Sequence, residues 1–163
     1  MSEISIIPFE NIYQQDVVDL ILNIQQNEFG VPVTLEGQPD LMDIPGFYQV
    51  KNGNFWLALR EGKVVGSIAL LDIGHAKGAL RKMFVDARYR GKEYGIGQRL
   101  LDTLVTSARE RGFRVILLGT TEKFLAAHRF YEKNGFDAIA KSSLPQEFPV
   151  MSVDKIFYSL TLT

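Results

Sequence analysis

The chain is expected to fold as an α/β domain in which a mixed β-sheet carries helices on both faces, and three observations point to that class. Short apolar runs and amphipathic helical segments alternate along most of the sequence, the pattern of a sheet covered by helices. Residues 54–60 and 63–73 are apolar runs separated only by Glu61-Gly62, a two-residue connection with glycine where a hairpin turn needs positive φ. An apolar segment at 80–86 then leads through a glycine-rich turn into a helical stripe and a further apolar run at 114–118.

Each element has a local cause. Ile4-Ser5-Ile6-Ile7 reads as a strand closed by Pro8, and residues 10–28 carry Val17, Leu20, Ile21 and Ile24 at helical spacing before Gly30. The stretch 31–53 holds Pro32, Pro39 and Pro45 and has no period of its own. It is expected to be a long functional loop with a short helix near Asp40-Leu41-Met42. After the hairpin, Gly74-His75-Ala76-Lys77-Gly78 delivers the chain to a strand at 80–86. Beyond Gly97 the residues Leu100, Leu101, Leu104, Val105 and Ala108 form one helical stripe that Gly112 ends. A strand at 114–118, a helix at 122–134 ended by Gly135, and strands near 137–141 and 154–162 complete the order β-α-(α)-β-β-β-α-β-α-β-β. The last two strands are joined by the loop Leu144-Pro145-Gln146-Glu147-Phe148-Pro149.

Composition narrows the function classes. At 163 residues, 46% hydrophobic and 11% aromatic, the chain suits one well-buried core, so a single domain over 1–163 is expected. The 18 basic and 19 acidic side chains leave a formal net charge of −1, which gives no global field for nucleic acid or an anionic membrane. The absence of cysteine removes disulfides, thiolate metal sites and thiol nucleophiles together. Met1-Ser2-Glu3-Ile4 lacks the basic start and apolar run of a secretory signal, and no segment has the apolar length of a membrane span, so a cytoplasmic location is expected.

The chemistry concentrates in Met83-Phe84-Val85-Asp86-Ala87-Arg88-Tyr89-Arg90-Gly91-Lys92-Glu93-Tyr94-Gly95-Ile96-Gly97. An apolar strand, a basic glycine turn and a helix start in that order place backbone N–H groups at the positive end of a helix dipole, which suits a phosphate. No Gly-Lys-Ser/Thr follows, so the arrangement for a nucleotide γ-phosphate is missing. The next strand ends in Gly119-Thr120-Thr121, where a dinucleotide site would want an acidic residue.

Arg90-Gly91-Lys92 leading to Gly95-Ile96-Gly97, with Ala127-His128-Arg129-Phe130-Tyr131-Glu132-Lys133-Asn134-Gly135-Phe136 downstream, resembles the GNAT superfamily of acyl-CoA-dependent N-acetyltransferases. The resemblance implies a sheet whose two central strands splay apart, with the pantetheine arm of acetyl-CoA between them. It places the arm against Met83, Phe84 and Val85, with strand amides at Phe84 or Val85 facing the oxyanion. Gly91, Gly95, Ile96, Gly97 and Gln98 would hold the pyrophosphate with their amides, helped by the Arg90 and Lys92 charges, and no metal is called for. Tyr131 would protonate the departing thiolate, its side chain having alternatively only a packing role in the stripe Phe124, Ala127, His128 and Tyr131. The acceptor would be a primary amine of a small molecule.

The pattern departs from the family in four places. Two extra residues follow the Arg90 segment, so either Lys92 takes the first position or Glu93-Tyr94 bulge outward. Ala87 stands where proline is frequent, and Lys123-Phe124 replace a common asparagine. The strand glutamate that acts as base in some relatives falls near Ala79, leaving Asp72, His75, Glu122 or water to relay the proton. Phe29, Phe47, Tyr48, Phe148 and Met151 would wall the acceptor pocket, cap the core or form a homodimer contact, with Glu28, Glu36, Asp40 or Asp43 drawing in a cation. The alternative function is a module of the same fold that binds acyl-CoA, or a protein partner, without transfer.

Overall fold

The computed structural model describes residues 3–162. One seven-stranded sheet runs through it in the order β1-β2-β3-β4-β5-β7-β6. Its strands are β1 (Ile4–Pro8), β2 (Asn54–Arg60), β3 (Lys63–Gly74), β4 (Lys77–Val85), β5 (Val115–Thr120), β6 (Asp137–Ile139) and β7 (Ile156–Thr161). All neighbours pair antiparallel except β4 and β5, which are parallel. The sheet is therefore mixed, as its sequence pattern predicts, and the hairpin turn falls at Glu61-Gly62, where both residues have positive φ. Met1, Ser2 and Thr163 of the expected domain lie outside the described residues.

Alternation along β2 sets the two layers. Phe55, Leu57 and Leu59 pack with Val17, Val18 and Ile21 of helix α1 (Gln14–Leu22) and with Leu41, Ile44 and Tyr48 of the loop that follows it. Trp56 and Ala58 face the other way, onto Leu100, Leu101, Leu104 and Ala108 of helix α3 (Ile96–Glu110). The short helix α2 (Ile44–Phe47) shares the first layer, while helix α4 (Leu125–Lys133) contributes Tyr131 to the second. With both faces covered, β2, β3 and β5 carry near-continuous apolar runs.

Two departures from the expected elements matter for the site. The first helix begins in a 3₁₀ turn, Asn11–Tyr13, and ends in a π-helical turn, Asn23–Glu28, that buries Gln25. Such widened turns occur often at functional sites. The second lies in β4, where Ala69 pairs with Arg81 but Ser67 pairs with Phe84, so β4 carries one extra residue opposite β3. Lys82 is the bulged residue, with a left-handed φ of +52°. Its carbonyl finds a partner in the wholly buried Ser67, whose Oγ donates to it at 2.6 Å.

The parallel contact between β4 and β5 covers only Lys77–Ala79 against Val115–Leu117. Beyond Ala79 the two strands part, as the resemblance implies, and a cleft opens between them. Among the described residues no helix is long and apolar enough to cross a membrane.

Ser67→Ala should destabilise the fold by about 1–3 kcal/mol, because it leaves the buried Lys82 carbonyl without a donor. Urea unfolding measures this, and an unchanged midpoint with unchanged slope would show that the carbonyl is satisfied elsewhere.

Candidate active site

The cleft between β4 and β5 has a volume of about 900 Å³. Met83, Phe84 and Val85 line one side, and Gly91, Lys92 and the first turn of α3 at Ile96, Gly97 and Gln98 line its end. Tyr131 and Phe130 of α4 lie along it as well, so Tyr131 shares one cleft with the candidate cofactor-binding residues, whereas His128, Glu132 and Asn134 of the second motif do not line it.

The helix start has the properties of an anion site. Gly95 caps α3 with φ +60° and offers no side-chain hydrogen bond, so the first amides of a 15-residue helix have no intrahelical or side-chain cap. Gly91, with φ +116°, starts the turn, and Gly95 N–H donates back to Gly91 C=O at 3.2 Å. Lys92, Glu93 and Tyr94 are the residues inside that closed turn. Of the two alternatives for the inserted pair, the outward bulge is found: the Tyr94 ring meets Tyr89 edge-on at 5.5 Å, and the Arg60 guanidinium lies over both rings at 5.6 and 5.1 Å. A Cβ on Gly97 would make only ordinary contact with Met83 Cε at 3.6 Å and Phe130 at 3.9 Å, so the position has room for a side chain beside these two cleft residues.

Arg90 is engaged within the protein. Its Nε donates to Val85 C=O at 2.8 Å, and its Nη1 and Nη2 pair with Glu28, the second at 2.8 Å. The guanidinium also stands over the Phe29 ring, which packs edge-on against Phe124. It thus straps the end of the first helix to the end of β4, and Lys92 is the exposed cation of the turn. Gln98 donates to Asp102 and Asn134, tying α3 to the end of α4.

Tyr131 packs as its helical stripe predicts and also lines the cleft. Its ring packs against Phe136 at 5.5 Å and Tyr158 at 5.9 Å, and its hydroxyl donates to Met83 Sδ at 3.7 Å across the cleft. Burial, with a smaller contribution from Tyr158, lifts its pKa well above the ordinary phenol value, so the hydroxyl keeps its proton.

The acceptor-side expectations divide. Phe29, Phe148 and Met151 line the cleft, whereas Tyr48 is wholly buried in the α1 layer with Phe47 packed on it. The expected cation-attracting carboxylates are engaged elsewhere: Glu28 holds Arg90, Asp43 caps α2 by accepting from Gly46 N–H, and Asp40 is buried under Tyr48, Arg81 and Lys82. Glu36 stands on an exposed loop. Asp72 accepts from Gly74 and Asn52 at the far hairpin, His75 sits in the same turn, and neither these nor Glu122 lines the cleft.

The sequence reading missed Asp154. Among the described residues lining the cleft it carries the one carboxylate. Its Oδ2 accepts from Met151 N–H at 2.9 Å, and a Cβ on Gly119 would lie 2.8 Å from it, so that glycine makes room for the carboxylate beside β5. Burial raises its pKa above the usual carboxylate value. Nothing in its local sequence, a loop ahead of β7, distinguishes it from a solvated turn aspartate.

Because the Tyr131 proton is retained, the tyrosinate absorbance of the wild type and of Tyr131→Phe should coincide throughout the pH range in which the protein stays folded. A titration step lost in the variant would show that Tyr131 ionises.

Comparison with known proteins agrees with this geometry. Residues 18–136 match the family described as Acetyltransferase (GNAT) family. The structure superposes on an acetyltransferase of the GNAT family from Staphylococcus aureus Mu50 with a TM-score of 0.95 at 39% identity, covering 98% of this chain and 99% of that one. An acetyltransferase from Streptococcus agalactiae 2603 gives 0.93 at 35% identity, with 98% of each chain covered. N-acetylaspartate synthetase of Xenopus tropicalis is 40% identical over 105 residues, which are 60% of this chain and 36% of that protein. The chain thus spans about a third of the length of the N-acetylaspartate synthetases it matches. A splayed mixed sheet, an open helix N-terminus at the splay and two full-length structural matches lead to one conclusion: the chain belongs to the acetyltransferase (GNAT) family, has the GNAT fold, and by that membership is an acyltransferase.

Proposed function

We propose that this protein moves an acetyl group from acetyl-CoA to a primary amine of a small molecule by direct attack in a ternary complex. The reading takes residues 1–163 as one domain at work in the cytoplasm, with neither nucleic acid nor membrane as partner. It rests above all on one observation: the uncapped N-terminus of α3 and the protonated Tyr131 hydroxyl face the same cleft, which the parting of β4 from β5 opens.

Acetyl-CoA supplies a thioester-activated acetyl group. The amides of the Gly91–Gln98 segment fit its pyrophosphate, and the β4 edge at Met83, Phe84 and Val85 fits its pantetheine arm and the developing oxyanion. Positioning by these groups converts a bimolecular encounter into an oriented one. As the acceptor nitrogen bonds to the acetyl carbon, the C–S bond breaks and its electron pair goes to sulfur. Tyr131 protonates that sulfur and is reprotonated from water. An acceptor entering as ammonium sheds two protons, of which one is balanced by the new thiol and one reaches solvent. Asp154, its affinity for a proton increased by burial, takes the first.

A small acceptor is supported by the names of the relatives in frog, zebrafish and rat, whose product is an acetylated amino acid. The other reading, a module that binds acyl-CoA without transfer, draws support from Ala79 standing where some relatives carry a strand glutamate and from the lengthened glycine turn, while the Tyr131 segment opposes it. Calorimetric titration with acetyl-CoA followed by thiol release across a panel of amines separates the two: binding with amine-dependent release is the expected result, and binding without release from any amine would favour the module. Sedimentation of the same preparation tests for a homodimer.

Tyr131→Phe, which keeps the packing ring, should lower kcat by about tenfold or more while acetyl-CoA affinity stays nearly constant. Unaltered turnover would reduce Tyr131 to a wall of the cleft. Gly97→Asp should fold yet bind acetyl-CoA at least about tenfold more weakly, because it brings a negative charge into an anion pocket. Equal affinity in calorimetry would place the phosphates elsewhere.

A further inference from the structure

The β4 bulge does more than bend a strand. In a regular strand Arg81 and Lys82 would point to opposite faces. The left-handed backbone at Lys82 instead turns both toward Asp40, whose Oδ2 lies 4.0 Å from Arg81 Nη1 and 3.6 Å from Lys82 Nζ. The same oxygen accepts from Tyr48 Oη at 2.5 Å. Lys82 Nζ also donates to Gln38 Oε1, and the Gln38 amide is held in turn by Gln25 of the π-helical turn. Both cations line the cleft, while Asp40 lies behind them.

On this wall two cations share one carboxylate that is already bound by a phenol. The Lys82 side chain is only 3% exposed, so water compensates little of its charge. On the β5 side stands Asp154, close enough for its charge to act on Lys82. The acceptor end of the cleft is therefore basic on the β4 wall and acidic on the other, a separation of charge that complements a molecule carrying both a carboxylate and an amine.

We infer that the acceptor is a small aminocarboxylate whose carboxylate is held by Lys82 and Arg81 while its amine is directed to Asp154, an inference that rests on the acetyl-transfer reading above. Lys82 and Arg81 are specificity residues under this assignment. The bulge places them, and Gln38 and Asp40 fix their orientation.

Burial, opposed by Asp40 and reinforced by Arg81, lowers the Lys82 pKa to about 8. The groups facing it are Asp40 from the loop after the first helix, Arg81 from its own strand and Asp154 from the loop before β7. As the pH rises through about 8 Lys82 loses its proton, and the KM for an aminocarboxylate should rise with it.

The test compares thiol release with L-aspartate, L-glutamate, L-phenylalanine and L-lysine against phenethylamine and cadaverine, which lack a carboxylate. At least one amino acid should exceed the carboxylate-free amines by about a hundredfold in kcat/KM. Lys82→Met should raise the KM of that amino acid about ten- to a hundredfold, with kcat changed far less and the preference over phenethylamine collapsed. Lys82→Arg should recover part of the affinity, and Arg81→Gln, which leaves the bulge intact, should repeat the KM effect. Calorimetry with acetyl-CoA on each variant reports whether the cleft is intact. Acetyl-CoA binding with release from phenethylamine or cadaverine at rates matching the amino acids, or from no amino acid at all, would overturn the aminocarboxylate assignment and leave the cofactor reading standing. So would a KM indifferent to both variants. Failure of the wild type to bind acetyl-CoA would remove the transfer reading and this inference with it.

Discussion

The rest of the structure depends on a sheet that is allowed to come apart in its middle. β4 and β5 exchange hydrogen bonds over three residues each and then diverge, which leaves backbone groups of two central strands without each other as partners. That is tolerable because each strand is paired along its opposite edge, β4 with β3 and β5 with β7 over its full length. Covering the sheet on both faces keeps the parted strands in place while the gap stays open. The helix that follows β4 starts at the parting, so a sheet defect and a helix dipole meet at one point.

The local cost of this arrangement is visible at Lys82. A non-glycine residue in the left-handed region costs on the order of 1–3 kcal/mol and persists only where its surroundings over-determine it. Here Ser67 takes its carbonyl, Gln38 and Asp40 take its ammonium, and the π-helical turn supplies Gln25 to fix Gln38. The strain, the irregular helix and the long loop between them form one connected device, with each irregularity holding the next in position.

What the sequence disclosed followed from whether the cause was local. The Glu61-Gly62 turn, the α3 stripe from Leu100 to Ala108 and the glycines at 91, 95 and 97 carry their meaning in a few adjacent residues, and all of them stand where the pattern put them. The bulge did not announce itself, because Leu80-Arg81-Lys82-Met83 contains no glycine and reads as an ordinary strand. Asp40 looked like a solvated acid able to attract a cation, since the two cations that claim it are distant in sequence. Tyr48 stays open between pocket wall, core cap and dimer contact in the sequence for the same reason: its hydroxyl is satisfied by a neighbour whose burial depends on tertiary packing. Asp154 was missed because the space it fills is created by Gly119, on the distant strand β5.

The Tyr94 side chain, turned away onto Tyr89 and Arg60, bears on how such loops change length. Gly91 and Gly95 close their own hydrogen bond, and between them Glu93 and Tyr94 form an outer crown, with Tyr94 resting on the neighbouring hairpin while Lys92 stays at the anion pocket. Residues can enter or leave that crown while the amides at its base keep their directions. A search that counts positions between glycines would pass over such a chain, whereas one that asks which two residues are in the left-handed region would find it.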